Sequence, residues 1–220
     1  MEAIRVPRVK VCCIASGAEA WTAIRHGASA LGLVSRMPSG PGVIDDATIA
    51  EVAAAVPPGV SAFLLTCEQE VDALLAQQRR LRVGTLQLCD WLGRERLQEL
   101  REALPGIKLV QVIHVRGEVA LREAAAAAPL VDALLLDSGN PDLAVKELGG
   151  TGRRHDWALS RRIREEAPVP LFLAGGLDAG NARRALEEVG PYGLDICSGV
   201  RSRGALDEAR LAAFMAAVRA

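Results

Sequence analysis

Residues Pro170–Arg203 read PLFLAGGLDAGNARRALEEVGPYGLDICSGVRSR, and this stretch decides the fold. Leu171 to Ala174 is a short apolar run of the kind that forms a strand buried on both faces. Gly175-Gly176 follows at once, where the backbone turns tightly and exposes its N–H groups. Asp178 is placed to cap a helix whose apolar positions include Ala182, Leu186 and Val189. Asp195 to Cys197 reads as the next strand, and Ser198-Gly199 again offers small residues and free amides. Two adjacent strand ends with bare amides make a phosphate cradle. The last two strands of a (β/α)8 barrel commonly supply one.

Working outward, the same unit recurs along the whole chain. Strands are expected at Arg8–Ile14, Ala30–Val34, Ser61–Thr66, Val83–Cys89, Lys108–Val115 and Val131–Asp137, before the two in the quoted stretch. Helices are expected at Glu19–His26, from Asp45 or Asp46 to Val56, and at Gln69–Arg79, Glu95–Ala103, Glu118–Ala127, Trp157–Glu166 and Leu206–Val218. Pro57-Pro58-Gly59 and Pro105-Gly106 act as stops. Eight units in 220 residues, about 27 residues each, imply parallel strands joined by helical crossovers. The expected architecture is α/β, one (β/α)8 barrel domain spanning residues 1–220.

Bulk composition narrows the function. A chain that is 50% hydrophobic fills a single core, and a net charge of −1 argues against nucleic acid or an anionic membrane as partner. Met1–Lys10 has no apolar leader-like stretch, and five cysteines without even spacing do not form a disulfide framework, so the cytoplasm is the expected compartment.

Barrel chemistry sits at the C-terminal strand ends. Here those ends carry Cys12, Cys13, Thr66, Cys67, Gln87, Cys89, His114, Asp137, Asp195 and Cys197. Alternation sets Lys10 and Cys12 on one face of the first strand, and likewise pairs Gln87 with Cys89, Leu135 with Asp137, and Asp195 with Cys197. A thiolate at Cys12, favoured by the Lys10 ammonium or by amides, and a protonated Asp137 would divide one proton-transfer reaction between base and acid. The bland alternatives are a small buried hydrophobe for the cysteine and a turn residue for the aspartate. The cysteines with His114 also suggest a soft-metal or redox rim, although no C-x-x-C spacing supports a metal. Trp21, Trp91 and Trp157 read as packing residues, with Trp91 a candidate contact for an aromatic ligand.

Several segments resemble the phosphoribosylanthranilate isomerase family of tryptophan biosynthesis. They are Lys10-Val11-Cys12-Cys13-Ile14, Gly32-Leu33-Val34, Leu86-Gln87-Leu88, Leu135-Leu136-Asp137, Gly149-Gly150-Thr151-Gly152, Asp156-Trp157, Ala174-Gly175-Gly176-Leu177 and Gly193 to Val200. The resemblance implies an Amadori rearrangement of a phosphoribosyl-anthranilate without metal or organic cofactor, by a monomer or homodimer. It implies Asp137 as general acid and Cys12 as general base. Gly175, Gly176, Ser198 and Gly199 would hold the phosphate, Asp195 would line the pocket, and Ser138–Gly152 would be a mobile loop beside it. Arg36, Gln87 and Cys89 are further candidate contacts. Three positions depart from the family pattern. Cys13 stands for a glycine, Gly42 for the arginine that meets the anthranilate carboxylate, and Cys89-Asp90 for a histidine and glycine. On this reading Gly42→Arg with Cys89→His recovers part of kcat/KM. The alternatives are an isomerase of another phosphosugar or a non-catalytic phosphosugar-binding barrel.

Overall fold

The computed structural model describes residues 7–220, so most of the segment read for a leader, up to Val6, lies outside the described residues. Eight parallel strands close into a barrel in sequence order. They are β1 (Arg8–Val11), β2 (Ala30–Val34), β3 (Ser61–Thr66), β4 (Thr85–Leu88), β5 (Lys108–His114), β6 (Ala133–Asp137), β7 (Leu171–Leu173) and β8 (Gly193–Ile196). The ring closes where β8 pairs with β1, Lys10 beside Asp195 and Val11 beside Ile196. The outer helices are α1 (Gly17–Arg25), α2 (Asp46–Ala55), α3 (Val71–Leu81), α4 (Arg94–Ala103), α5 (Val119–Ala127), α6 (Trp157–Glu166), α7 (Ala182–Val189) and α8 (Glu208–Arg219). A two-residue hairpin, β9 (Arg201–Ser202) with β10 (Ala205–Leu206), links β8 to α8.

Alternation along each strand divides two cores. Outward positions such as Val11, Leu33, Leu64, Leu86, Leu134 and Leu194 pack under the helices against Ala23, Ile49, Leu74, Leu97, Ile163 and Phe214. Inward positions form a second cluster of Cys12, Val34, Phe63, Leu65, Cys89, Val112, Leu135, Phe172 and Ala174. The rings of Phe63, Phe172 and Tyr192 meet edge to face, with centroids 5.9 and 5.4 Å apart. Lys10 lies among them, fully buried, with its Nζ 5.6 Å from the centre of the Phe63 ring.

Local chemistry sets the helix starts. Ser16 accepts from the Glu19 amide while the Glu19 carboxylate accepts from Ala15, a reciprocal cap. Asp45, Asp156 and Asp207 cap α2, α6 and α8 in the simpler way. α7 differs from the sequence expectation: Asp178 accepts from Gly180 inside the turn, and the helix begins only after Asn181. β1 ends at Val11 because Cys13 takes a left-handed backbone, φ 62°, which stops the extended run short of Ile14. Of the tryptophans only Trp157 is buried, under the guanidinium of Arg184; Trp21 and Trp91 are exposed, which corrects their reading as packing residues.

Candidate active site

A cleft opens at the C-terminal mouth of the barrel. Cys12, Gln87, Cys89, Asp137, Asp195, Gly175, Gly176 and Ser198 all line it, so the inward face read from alternation gathers in one place. Two predicted residues stand apart. Arg36 is exposed and does not line the cleft; its carbonyl accepts from the Cys67 thiol. Gly199 does not reach the cleft: a Cβ there would lie 2.1 Å from the Leu177 carbonyl oxygen, so its role is to let the turns after β7 and β8 close on each other.

Asp137 ends β6 and is buried. Burial pushes its carboxyl up to about 6, helped by the charge of Asp195 and opposed by the Ser138 amide, which donates to Oδ1 at 2.7 Å, and by Lys10. Gly149 covers the other side, where an added Cβ would fall 2.9 Å from Oδ2. Opposite, Lys10 donates to Asp195 at 2.8 Å. Burial, the largest single influence, would lower the Lys10 ammonium, but Asp195 together with Cys12 and Cys13 outweighs it and the net shift is upward. Cys12 Sγ lies beside this pair. A Cβ on Gly32 of β2 would come 2.8 Å from that sulfur and 3.1 Å from Lys10 Nζ, so the glycine makes room for both. Gln87 Oε1 is buried with no protein partner and belongs to the cleft wall. Burial pushes the Cys89 thiol up, keeping it neutral.

The glycine turn after β7 is held by a residue that sequence reading passed over. Asn181 donates to the Gly176 carbonyl at 2.9 Å and accepts from the Asp178 amide at 3.0 Å. Gly175 and Gly176 both have positive φ, 85° and 62°. Their amides donate to no protein group among the described residues. A short helical turn at Ser198–Val200 begins alongside. The long segment after β6 lies across this end. Asn140 and Glu147 bridge to each other, Ser138 and Thr151 share a hydroxyl hydrogen bond of 2.7 Å, and Ser39 from the β2 side donates to the Lys146 carbonyl at 2.6 Å.

The mouth near Gly42 carries an interaction that spacing cannot reveal. Gly42 has φ 82°, and a Cβ there would lie 2.5 Å from Cys13 Cβ and 2.8 Å from Cys13 Sγ. The cysteine at 13 and the glycine at 42 are one packing unit, so a side chain added at 42 must displace Cys13. No lysine or arginine lines the cleft among the described residues; Val34, Met37, Leu65 and Leu148 do. His114 belongs to a separate groove with Trp91 and Arg116, its Nε2 on the Cys89 carbonyl at 3.0 Å. Among the described residues no group of three His, Cys, Asp or Glu is arranged to hold a metal, so the soft-metal rim is not assembled.

A family model described as N-(5'phosphoribosyl)anthranilate (PRA) isomerase matches residues 9–217. A curated N-(5'-phosphoribosyl)anthranilate isomerase from Thermosynechococcus vestitus is 34% identical over 208 residues, covering 94% of this chain and 87% of the relative. The solved phosphoribosyl anthranilate isomerase of Thermotoga maritima superposes with a TM-score of 0.83 at 25% identity, covering 97% of this chain and 98% of that one. A further solved isomerase, in complex with reduced 1-(O-carboxyphenylamino)-1-deoxyribulose 5-phosphate, shares the fold at TM-score 0.80 and 23% identity, over 97% and 98% of the two chains.

Proposed function

The chain belongs to the N-(5'-phosphoribosyl)anthranilate isomerase family, and from that premise we propose that it carries out the Amadori rearrangement of this substrate with Asp137 as acid and Cys12 as base. It is an aldose–ketose isomerase. The observation that carries the residue assignment is the shared cleft: a carboxyl raised to about 6 and a thiol beside a buried ammonium line one cavity that ends in free glycine amides.

Asp137 gives its proton to the ribose ring oxygen as the C1–O bond breaks, and the anthranilate nitrogen lone pair forms the C1=N bond. With its carboxyl near 6, roughly a tenth of Asp137 is protonated at pH 7, enough for an acid that is regenerated each turn. Cys12 as thiolate removes the C2 proton, the electrons close C1=C2, and the iminium is neutralised to an enolamine. Ketonisation at C2 yields the 1-deoxyribulose. Lys10, fixed by Asp195, is the positive charge beside the base as the proton moves. Gly175, Gly176 and Ser198 bind the phosphate through backbone amides, and Gln87 Oε1 accepts from a substrate hydroxyl or the anilino N–H. The aglycone rests on Val34, Met37, Leu65 and Leu148 without a cation for its carboxylate.

Loss of substrate fluorescence on turnover tests the assignment. Cys12→Ser and Asp137→Asn should each remove at least a thousandfold of kcat while still binding the reduced product analogue. Retained turnover in either variant refutes its role.

A further inference from the structure

The thiols of Cys13 and Cys197 are in contact, Sγ to Sγ 2.8 Å, though separated by 184 positions in sequence. They sit where β1 and β8 close the barrel, past the Val11–Ile196 pair. By alternation Cys13 would point to the helix layer. Its left-handed backbone turns it instead into the cleft wall, and Arg201 holds that turn by donating to the Cys13 carbonyl. The two residues differ in exposure: Cys13 is buried, whereas Cys197 is half-buried and reaches the open cleft. They also differ in acidity. The contact with Cys13 holds the Cys197 thiol below the usual thiol range, against burial and with help from the Arg201 guanidinium, while Cys13 itself is held up. Neither thiol has a part in the proton transfers assigned to Cys12 and Asp137.

We propose that Cys13 and Cys197 are a dithiol site that hydrogen peroxide converts reversibly to a disulfide at the mouth of the cleft. The Cys197 thiolate attacks one peroxide oxygen; the S–O bond forms, the O–O bond breaks, and hydroxide leaves, taking a proton to become water. Cys13, as thiolate, then attacks the sulfenic sulfur; the S–S bond forms, the S–O bond breaks, and the second hydroxide leaves as water after protonation. Two thiols and one peroxide give one disulfide and two waters, with two electrons passing from sulfur to oxygen. Closing the thiol contact to a disulfide length of 2.03–2.05 Å needs about 0.8 Å of sulfur movement. The bond would tie residue 13, next to the base, to residue 197, next to Ser198 of the cradle. This inference stands on the thiol geometry and is independent of the isomerase chemistry.

The test uses the reduced full-length chain, titrated with hydrogen peroxide in chelator-containing buffer and quenched with an alkylating agent. Intact mass should fall from five free thiols to three, and digestion without reductant should yield one cross-linked pair containing Cys13 and Cys197. Dithiothreitol should restore all five thiols. Cys67→Ala should leave the two-thiol loss intact, and Cys13→Ala should abolish it, leaving Cys197 as a sulfenic acid that a dimedone-type probe traps. A cross-link through Cys12, Cys67 or Cys89, or sulfinic acid at Cys197 in wild type without any cross-link, overturns the proposal.

Discussion

Replacing Gly42 by arginine should fail in the native background and succeed only when Cys13 is removed. The glycine has φ 82°, where a residue with a Cβ costs about 1–2 kcal/mol. The new Cβ would also stand 2.5 Å from Cys13 Cβ and 3.0 Å from its Cα, and overpacking of this kind costs about 1–3 kcal/mol. Gly42→Arg alone should therefore lose about 2–5 kcal/mol, a fall in Tm on the order of 10 °C for a chain of this size. Cys13→Gly relaxes a φ of 62° and loses one small buried side chain, two effects of about 1 kcal/mol that nearly cancel. In the double variant the overlap is gone, so a urea-denaturation cycle should give a favourable coupling of about 1–3 kcal/mol. The restored guanidinium then faces the anthranilate carboxylate, and a charged hydrogen bond of about 1.5–3 kcal/mol should lower KM tenfold or more with kcat less changed. Additivity within about 0.5 kcal/mol, or an equal KM gain with Cys13 in place, would refute the reasoning.

Asp137→Asn should stabilise the protein while removing its activity. The folded carboxyl titrates near 6, above its ordinary 3.8, so the folded state holds more protons and stability declines as pH rises between these values. The gain over wild type should grow from near zero at pH 4 to about 3 kcal/mol at pH 8, read from denaturation curves, and wild-type kcat should decline above pH 6 as the acid form is lost; a flat stability difference contradicts the burial. Lys10→Met or Asp195→Asn each leaves one buried charge unpaired and should cost about 3–5 kcal/mol, with the double variant costing less than the sum. Gly176→Ala puts a Cβ 2.9 Å from the backbone of Arg153 on the segment covering the cradle, at a φ of 62°. Competitive inhibition by inorganic phosphate should weaken at least tenfold; an unchanged inhibition constant would move the phosphate away from this turn.

Much of the barrel was legible because short apolar runs recur at a regular spacing and most crossovers end at a glycine or proline, α3 with its left-handed Arg82 being an exception. Two-residue alternation correctly grouped Cys12, Gln87, Asp137 and Asp195 on the inner wall. What alternation cannot express is backbone handedness: Cys13 reaches the cleft only because its φ is positive, and the meeting with Gly42 and Cys197 follows from that. Distant polar service was equally hidden. Asn181 drew no reading from the sequence, yet its side chain fixes the Gly176 carbonyl from five positions away. Gly199 looked like an anion-binding glycine because its sequence context matches one, whereas the Leu177 carbonyl pressed against it supplies the reason for its missing side chain.

The buried Lys10 also bears on the order in which the molecule can be built. Its ammonium is fully enclosed, and the carboxylate that neutralises it arrives 185 residues later on the last strand. A nascent chain that has reached only its sixth or seventh strand cannot shut the ring around Lys10 without stranding a charge in an apolar interior. Partial barrels are therefore penalised from within, and closure waits for the C-terminal strand to bring Asp195 to the seam. The Lys10–Asp195 pair thus favours closure only once the last strand is in place.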